Sequence, residues 1–296
     1  MSDQTPLSPP VPLLMPGSVA PAAQAVASAP VRVVAESESR ERSDWVVIEE
    51  PLEIRAGGPD QEPLSVAVTM RTPGHDFELA VGFLRTEGLI ESPEELKATT
   101  DPATPRNSLL PARVCNVVHV ALRVPFDGSS LKRNFFATSS CGVCGKATLD
   151  QVAVRCEGVG EGPVVPRSTI IALPDRLRHG QAVFERTGGL HAAGLFDAQG
   201  RLLILREDVG RHNAVDKLIG RAFLDGGLPL ADRILMVSGR TSFEILQKAA
   251  VAGIAVSAPS SLAISLADRL GMTLVGFLRG SGFNIYTHPG RIDPHR

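Results

Sequence analysis

The chain of 296 residues holds no apolar run near the roughly 18 residues that a bilayer span requires. Its N-terminus also lacks the basic flank that precedes the apolar stretch of a secretory signal, so the expected location is the cytoplasm, with no membrane partner. Charge of one sign is missing too, since 30 Lys and Arg stand against 32 Asp and Glu, a formal net charge of −2. That balance leaves no electrostatic footprint for nucleic acid, and any phosphate binding must be local. Cysteines are few: Cys115, Cys141, Cys144 and Cys156. In a reducing compartment they read as reactive, metal-binding or merely buried thiols rather than disulfides. There is no internal repeat. Residues Met1 to about Arg42 are rich in Pro, Ala and Ser and hold no aromatic side chain. Burial in such a segment cannot offset its ordering entropy, so 1–42 is expected to be a disordered tail outside the fold.

What is present, at 43% hydrophobic residues, suffices for one large or two modest domains. We place a smaller β-rich subdomain over 43–135 and an α/β domain over 136–296. In the first, Trp45–Ile54 and Pro63–Met70 read as two strands around the turn Gly57–Asp60, a hairpin. Asp76–Thr86 carries Phe77, Ala80, Val81 and Leu84 at helical spacing, Thr99–Pro111 reads as a loop, and Arg113–Val124 returns to a β-branched pattern. From about Arg167 the pattern alternates. Helices are expected over Pro174–Arg186, Arg211–Leu224, Ser242–Ala252 and Ser260–Leu270. Strands are expected over His191–Phe196, Arg201–Arg206, Arg233–Val237, Ile254–Ser257 and Thr273–Phe277. Short apolar strands alternating with helices imply a mixed sheet covered on both faces, a three-layer α/β domain.

Chemistry concentrates in a few places. Thr138–Lys146, with Cys141-Gly-Val-Cys144 inside it, follows the Asn134–Phe136 segment on an apparent connection, where reactive groups are commonly displayed. Ser139, Ser140, Gly142 and Gly145 leave the sulfurs open, and Lys146 brings a cation that favours the nucleophilic thiolate. Sulfur transfer fits this arrangement. So do a thiol–disulfide pair, although no thioredoxin-like βαβ context precedes it, and a zinc site with Cys115 and Cys156, although no second close Cys pair exists. Simple buried thiols fit as well.

Thr187–Gly194 and Arg206–Lys217 crowd polar groups at a strand end and a helix start, where open α/β sheets place ligand sites. The plainer reading is that Asp208 and Asn213 cap the helix while Asp216 and Lys217 lie on its solvated face. Ser238–Ser242, with Arg240, follows a strand as a phosphate cradle would, without the Lys of a Walker loop, and Ser260-Ser261 repeats the geometry. An ordinary capped helix start fits both. Val275–Gly290 holds Arg279 between glycines with Phe277 and Phe283 nearby, a loop suited to the base and phosphates of a purine nucleotide, or simply a hairpin.

Taken together, Ser140–Gly145, Gly188–His191, Arg206–Lys217, Ser238–Glu244 and Phe277–Gly280 resemble, in order, the FdhD family of formate dehydrogenase accessory sulfurtransferases. The resemblance runs from about Trp45 to Ile292. It implies a cytidine-deaminase-like fold and a homodimer. It further implies a carrier that accepts persulfide sulfur from a cysteine desulfurase and passes it to the bis-molybdopterin guanine dinucleotide form of the molybdenum cofactor, before insertion into formate dehydrogenase. On this resemblance Cys141 bears the persulfide, and Phe277, Leu278, Arg279, Gly280, Ser281 and Gly282 bind the cofactor. Cys144 is assigned a supporting role and Arg240 a further cofactor contact. No catalytic metal is expected: the zinc deaminases of similar fold need a His-x-Glu that this chain lacks, and Ser140 stands where their motif has Pro.

Overall fold

The computed structural model of the protein describes residues 25–35, 38–97, 116–128, 158–250 and 252–296. All four cysteines lie outside these residues, as do the Thr99–Pro111 and Asn134–Phe136 segments and residues 1–24.

The chain enters the fold earlier than composition indicates. Strands β1 (Val26–Ala35) and β2 (Glu38–Val47) pair antiparallel, with Val26 opposite Val47. This corrects the expectation of disorder through residue 42. Composition averaged over the whole segment hides the run Val31-Arg-Val-Val34, a sequence that favours extended backbone. The base of the hairpin is held by burial of Ala25 and Val26 with Val183 and Leu190, and by the Arg186 guanidinium 4.7 Å from the centre of the Trp45 ring.

Strands β3 (Glu50–Gly57) and β4 (Leu64–Arg71) form a hairpin as expected, but the strand expected over Trp45–Ile54 is divided, Trp45–Val47 closing β2 and β3 beginning at Glu50; β5 (Val117–Ala121) adds in parallel to the free edge of β3. Leu52, Ile54, Ala56 and Val66 pack on helix α1 (Asp76–Thr86), whose Leu79, Ala80, Val81 and Leu84 are buried. This is the smaller β-rich unit.

Strand β6 (Val165–Pro166) leads into helix α2 (Arg167–Gly180), then helix α3 (Ala182–Thr187), strand β7 (His191–Phe196), strand β8 (Leu202–Asp208) and helix α4 (Arg211–Leu224). The single helix expected over 174–186 is therefore two: Ile170, Leu173 and Leu177 carry α2 past Pro174, and the break falls at Gln181. After α4 come β9 (Leu230–Thr241), α5 (Phe243–Ala249), β10 (Ala252–Pro259), α6 (Ser261–Arg269), β11 (Thr273–Arg279), β12 (Gly282–Thr287) and β13 (Ile292–Asp293).

The main sheet has the order β12-β11-β10-β9-β7-β8, with β9, β10 and β11 parallel and the other pairings antiparallel. Strand alternation sorts its side chains into two cores. Ala193, Leu195, Leu235, Val237, Ala255 and Leu274 join the core of α4, α5 and α6. Ala192, Phe196, Ile234, Met236, Ile254, Val256 and Val275 join the core of α2. The result is the expected three-layer mixed α/β fold. None of the described helices is long and apolar enough to cross a membrane.

The β-rich unit and the large sheet meet where α1 crosses α4. A Cβ on Gly82 would overlap the Asp216 carbonyl oxygen, and one on Gly220 would overlap that of Glu78, so the two backbones touch. Buried polar pairs flank the crossing. Arg206 donates two hydrogen bonds to Glu78, at 2.5 and 2.8 Å, and His75 Nδ1 lies 3.2 Å from the same carboxylate. Burial opposes ionisation of Glu78, but the hydrogen bonds from His75 and Arg206 outweigh it and hold its pKa at about 2. Lys248 Nζ donates to both Asp216 oxygens at 2.9 and 3.0 Å, and Thr86 Oγ1 to one of them at 2.8 Å. Lys217 Nζ reaches Asp208 at 2.7 Å and the Thr72 carbonyl at 2.8 Å. Asp208 also accepts from the Thr72 and Gly210 amides and from Asn213 Nδ2, which donates in turn to the Met70 carbonyl. Asp216 and Lys217 are thus 2% and 1% exposed rather than on a solvated face, and the N-cap of α4 is Gly210, not Asp208 or Asn213.

Two outcomes follow for stability. Alanine is favoured over glycine by about 1 kcal/mol in a helix interior, but here the added methyl meets rigid backbone. Gly82→Ala and Gly220→Ala should therefore each lower stability by about 1–3 kcal/mol, measured as a lower urea midpoint; an unchanged or raised midpoint would refute the close crossing. For Glu78 the lowered pKa means that the pair stabilises fully above the ordinary carboxylate range, and that this contribution is lost as pH falls from 4.5 toward about 2. Stability of the native chain should decline more steeply across that window than stability of Glu78→Gln, which has no carboxyl to titrate. Parallel profiles would mean that the pair does not form.

Candidate functional site

The parallel strands β9, β10 and β11 end side by side at Thr241, Pro259 and Arg279, and β7 starts at the same edge because it runs antiparallel to β9. Chain leaving this edge cannot be paired within the sheet, and polar groups gather there. Much of that polarity is structural. Ser242 and Ser260 are N-caps, accepting from the Ile245 and Ala263 amides at 3.5 and 3.3 Å. Ser238 Oγ accepts from the Ala192 amide at 2.8 Å, and Ser257 Oγ donates to the Gly239 carbonyl at 2.6 Å. The capped-start reading holds for both serine segments. Arg240, opposite Ala258 in the sheet register, remains exposed beyond them.

The β11–β12 hairpin projects from the same edge. Gly276 is required there, since a Cβ would come within 2.6 Å of Pro259 Cδ and 2.9 Å of the Ser257 carbonyl oxygen. Phe277 adopts a left-handed φ of 54°, unusual for an aromatic residue, and is turned 47% into solvent with its ring centre 6.4 Å from that of Tyr286. Arg279 pairs across the hairpin with Gly282, and the tip is tied to α2 by Arg167 Nη2 donating to the Ser281 carbonyl at 2.8 Å. Arg279, Gly280, Ser281 and Gly282 are all exposed. Leu278 differs from them: it packs, partly buried, against the core beneath α2. The hairpin thus offers an aromatic face and a guanidinium, and Arg240 stands on the second strand along.

A third group sits at the β7 end. His191 lies in cross-strand register with Asp208, and Gly239 holds the space beside it: a Cβ there would stand 3.4 Å from His191 Nδ1 and 3.2 Å from Arg211 Cδ. Arg211 opens α4, and its Nε is shielded from solvent with no hydrogen-bond partner. Burial, and next the Arg211 charge, lower the His191 pKa against the opposing pull of Asp208, so the ring is neutral near pH 7. His212, the next residue, has Nε2 3.2 Å from Glu244 Oε2. Of the crowded stretch Arg206–Lys217, the helix crossing thus uses Arg206, Asp208, Asn213, Asp216 and Lys217, and Arg211 is left at the sheet edge. Sequence reading singled out neither Arg211 nor His191, because their meeting depends on the β7–β9 register. Cys141 and Cys144 lie outside the described residues.

Comparison with known proteins bears on the same chain. Residues 47–293 match the FdhD/NarQ family. A sulfur carrier protein FdhD of Streptomyces avermitilis is 51% identical over 265 residues, covering 85% of this chain and 90% of the relative. One from the archaeon Sulfurisphaera tokodaii is 44% identical over 254 residues, covering 84% and 92%. Among solved structures, the crystal structure of a proposed formate dehydrogenase accessory protein from Desulfotalea psychrophila superposes with a TM-score of 0.68 at 24% identity, covering 91% of this chain and all of that one, a likeness of fold. With a family match across most of its length and relatives at half identity, the chain belongs to the FdhD/NarQ family.

Proposed function

We propose that this chain is a cytoplasmic, homodimeric sulfur carrier that supports formate dehydrogenase by moving sulfur from a cysteine desulfurase to the molybdenum cofactor. The observation that carries the reading is the likeness, at 51% identity over 85% of the chain, to a protein named a sulfur carrier. The Cys141-Gly-Val-Cys144 run supplies the thiol that such a carrier needs. In the proposed cycle the Cys141 thiolate attacks the outer sulfur of the desulfurase persulfide. A persulfide forms on Cys141 and the desulfurase cysteine leaves as its thiolate. In the second transfer the acceptor supplies the electron pair of its new bond to the terminal sulfur, the S–S bond breaks, and Cys141 leaves as its thiolate. Cys144, three residues further, is near enough in sequence to resolve a mixed disulfide by exchange.

The acceptor in this proposal is bis-molybdopterin guanine dinucleotide, bound as substrate. Support for its docking at Phe277–Gly282 comes from the exposed Phe277 ring, a stacking surface for a purine, and from the guanidinium groups of Arg279 and Arg240, which suit phosphate. Arg167 would hold the hairpin in its receiving position.

Incubation with a cysteine desulfurase and cysteine should add sulfur to the native chain, read by intact mass, and Cys141→Ala should gain none and fail to activate formate dehydrogenase. Arg279→Ala should load sulfur normally and still fail to activate. Loading and activation that persist in Cys141→Ala would overturn the carrier role; activation alone persisting would leave a cofactor-binding chaperone.

A further inference from the structure

The hairpin of β1 and β2 has little support beyond its base. Val26, Trp45 and Val47 meet Leu190, Arg186 and Gly189 of the body, yet among the described residues from Ala27 to Val46 none is buried. The ladder runs from Val26 opposite Val47 to Ala35 opposite Glu38, about 34 Å at ordinary strand rise. A two-stranded ribbon standing in water is marginally stable at best and needs a further layer against one face.

Register shows which face is open. Ala29, Val31 and Val33 lie opposite Asp44, Arg42 and Arg40, so these six side chains share one face of the ribbon. Trp45 is on the other face, where Arg186 lies over its ring, so at the root the valine face turns away from the body.

A receiving surface of the same character is present on the chain. The β4-β3-β5 sheet packs one face on α1, and its other face carries Val68, Glu53 and Val117 in one cross-strand row, with Met70 and Arg55 in the rows beside it. Val68, Met70 and Val117 are 69%, 48% and 37% exposed. On this sheet Arg55 donates to Glu53 at 2.8 Å, and on the ribbon Arg42 lies 3.5 Å from Asp44. Each surface thus sets apolar side chains beside an ion pair, with a small net charge that suits a second copy better than a strongly charged partner.

Symmetry and area complete the argument. Only Ile48 and Glu49 separate β2 from β3, so ribbon and sheet spring from neighbouring points of the fold. In a two-fold dimer, the contact of one ribbon with the partner's sheet is repeated in reverse. One ribbon face, two strands wide, is roughly 300 Å², so two ribbons on two sheets bury about 1,200 Å² in all, the size of a specific interface. Ribbons packed only on each other would bury about half of that, less than a stable interface needs. We infer that the β1–β2 hairpin is a dimerisation arm whose Ala29, Val31 and Val33 face lies on the sheet of a second copy at Val68, Met70 and Val117. The inference rests on the homodimer of the proposed carrier and assigns its interface.

Sedimentation velocity on the full chain at micromolar concentration tests the interface. The native chain should sediment as a dimer. Val33→Asp on the arm and Val68→Lys on the sheet should each weaken dimerisation by about a hundredfold or more, because each buries a charge against apolar side chains. Val68→Lys leaves the arm sequence untouched, so it reads the interface even where Val33→Asp unfolds the arm. An equimolar mixture of the two variants should dimerise again, since one arm–sheet contact is then native and the other sets Asp against Lys. Val34→Asp, on the opposite face of the ribbon, should remain dimeric. A monomeric native chain, a dimer that survives both Val33→Asp and Val68→Lys, or monomers in the mixture would overturn the inference. Dimers intact in both variants with activation of formate dehydrogenase lost would assign the arm to that enzyme instead, and equally overturn it. Sulfur loading, read by intact mass, separates this from the carrier reading: a native dimer that gains no sulfur refutes the carrier and leaves the interface, whereas a native monomer that gains sulfur refutes the interface and leaves the carrier.

Discussion

The arrangement of this protein depends on the crossing of α1 over α4 at Gly82 and Gly220, where two helix backbones touch. Helices usually pack 8–10 Å apart, at a distance set by the side chains between them. Without side chains at the crossing, α1 comes close enough for Glu78 to receive both nitrogens of Arg206, and the β4–α1 connection close enough for Thr72 to meet Lys217 and Asp208. Each of these reaches from the small β-rich unit into the polar stretch that precedes and begins α4. The crossing therefore fixes where α4 starts, and Arg211 is its first residue. A contact between two helices thereby sets the position of a side chain at the sheet edge.

Magnitudes show which charged contacts matter. The Arg32–Glu41 pair on the β1–β2 hairpin is 2.8 Å long, but its side chains are 68% and 77% exposed, and such surface pairs contribute about 0–1 kcal/mol. Breaking a buried pair costs about 3–5 kcal/mol because the remaining charge has no water. Asp216–Lys248 and Asp208–Lys217 are of this second kind. Burial alone would lower the Lys248 pKa, yet Asp216 and Glu87 raise it, so the ammonium stays charged inside the fold. Each buried carboxylate also accepts from more than one donor, which is the condition for a buried charge to persist. The hairpin at the N-terminus is held chiefly by its apolar base, whereas the seam around α4 is specified by hydrogen bonds that tolerate little displacement.

Much of this was legible in the sequence, for identifiable reasons. Helices Asp76–Thr86 and Arg211–Leu224 begin and end as read, because their apolar spacing is strong and their packing agrees with it. The three layers were legible because strands buried on both faces have continuous apolar runs. Two errors come from averaging. Pro, Ala and Ser dominate the composition of residues 1–42 and mask the strand-forming valines of β1, and a helix drawn through Pro174 conceals the break at Gln181. A third error is of another kind. Asp216 and Lys217 look solvated from α4 alone, because their partners Lys248, Thr86, Thr72 and Asp208 are contributed by other elements. Charge in a sequence gives no sign of its partner when that partner is distant. The same limit applies to the site: Arg240 and Arg279 stood out through neighbouring glycines, but Arg211 lay hidden in a motif whose other polar members are structural.

The same pairing explains how a chain of net charge −2 presents a positive surface at one sheet edge. Net charge is a sum, whereas a bound anion responds to the local field, which falls off within about 8–10 Å in physiological salt. Two of the nearby carboxylates are already engaged by fixed cations: Asp208 with Lys217 and Glu78 with Arg206. Arg211, Arg240 and Arg279 have no carboxylate partner among the described residues, and they lie along the ends of strands whose interior is apolar. Low-dielectric walls behind them direct their field outward, so three guanidinium groups act with little internal cancellation. The buried pairs at the α1–α4 crossing therefore have an electrostatic consequence as well as a structural one. By retaining the acids in the interior, they leave the arginines at the edge without a carboxylate partner among the described residues.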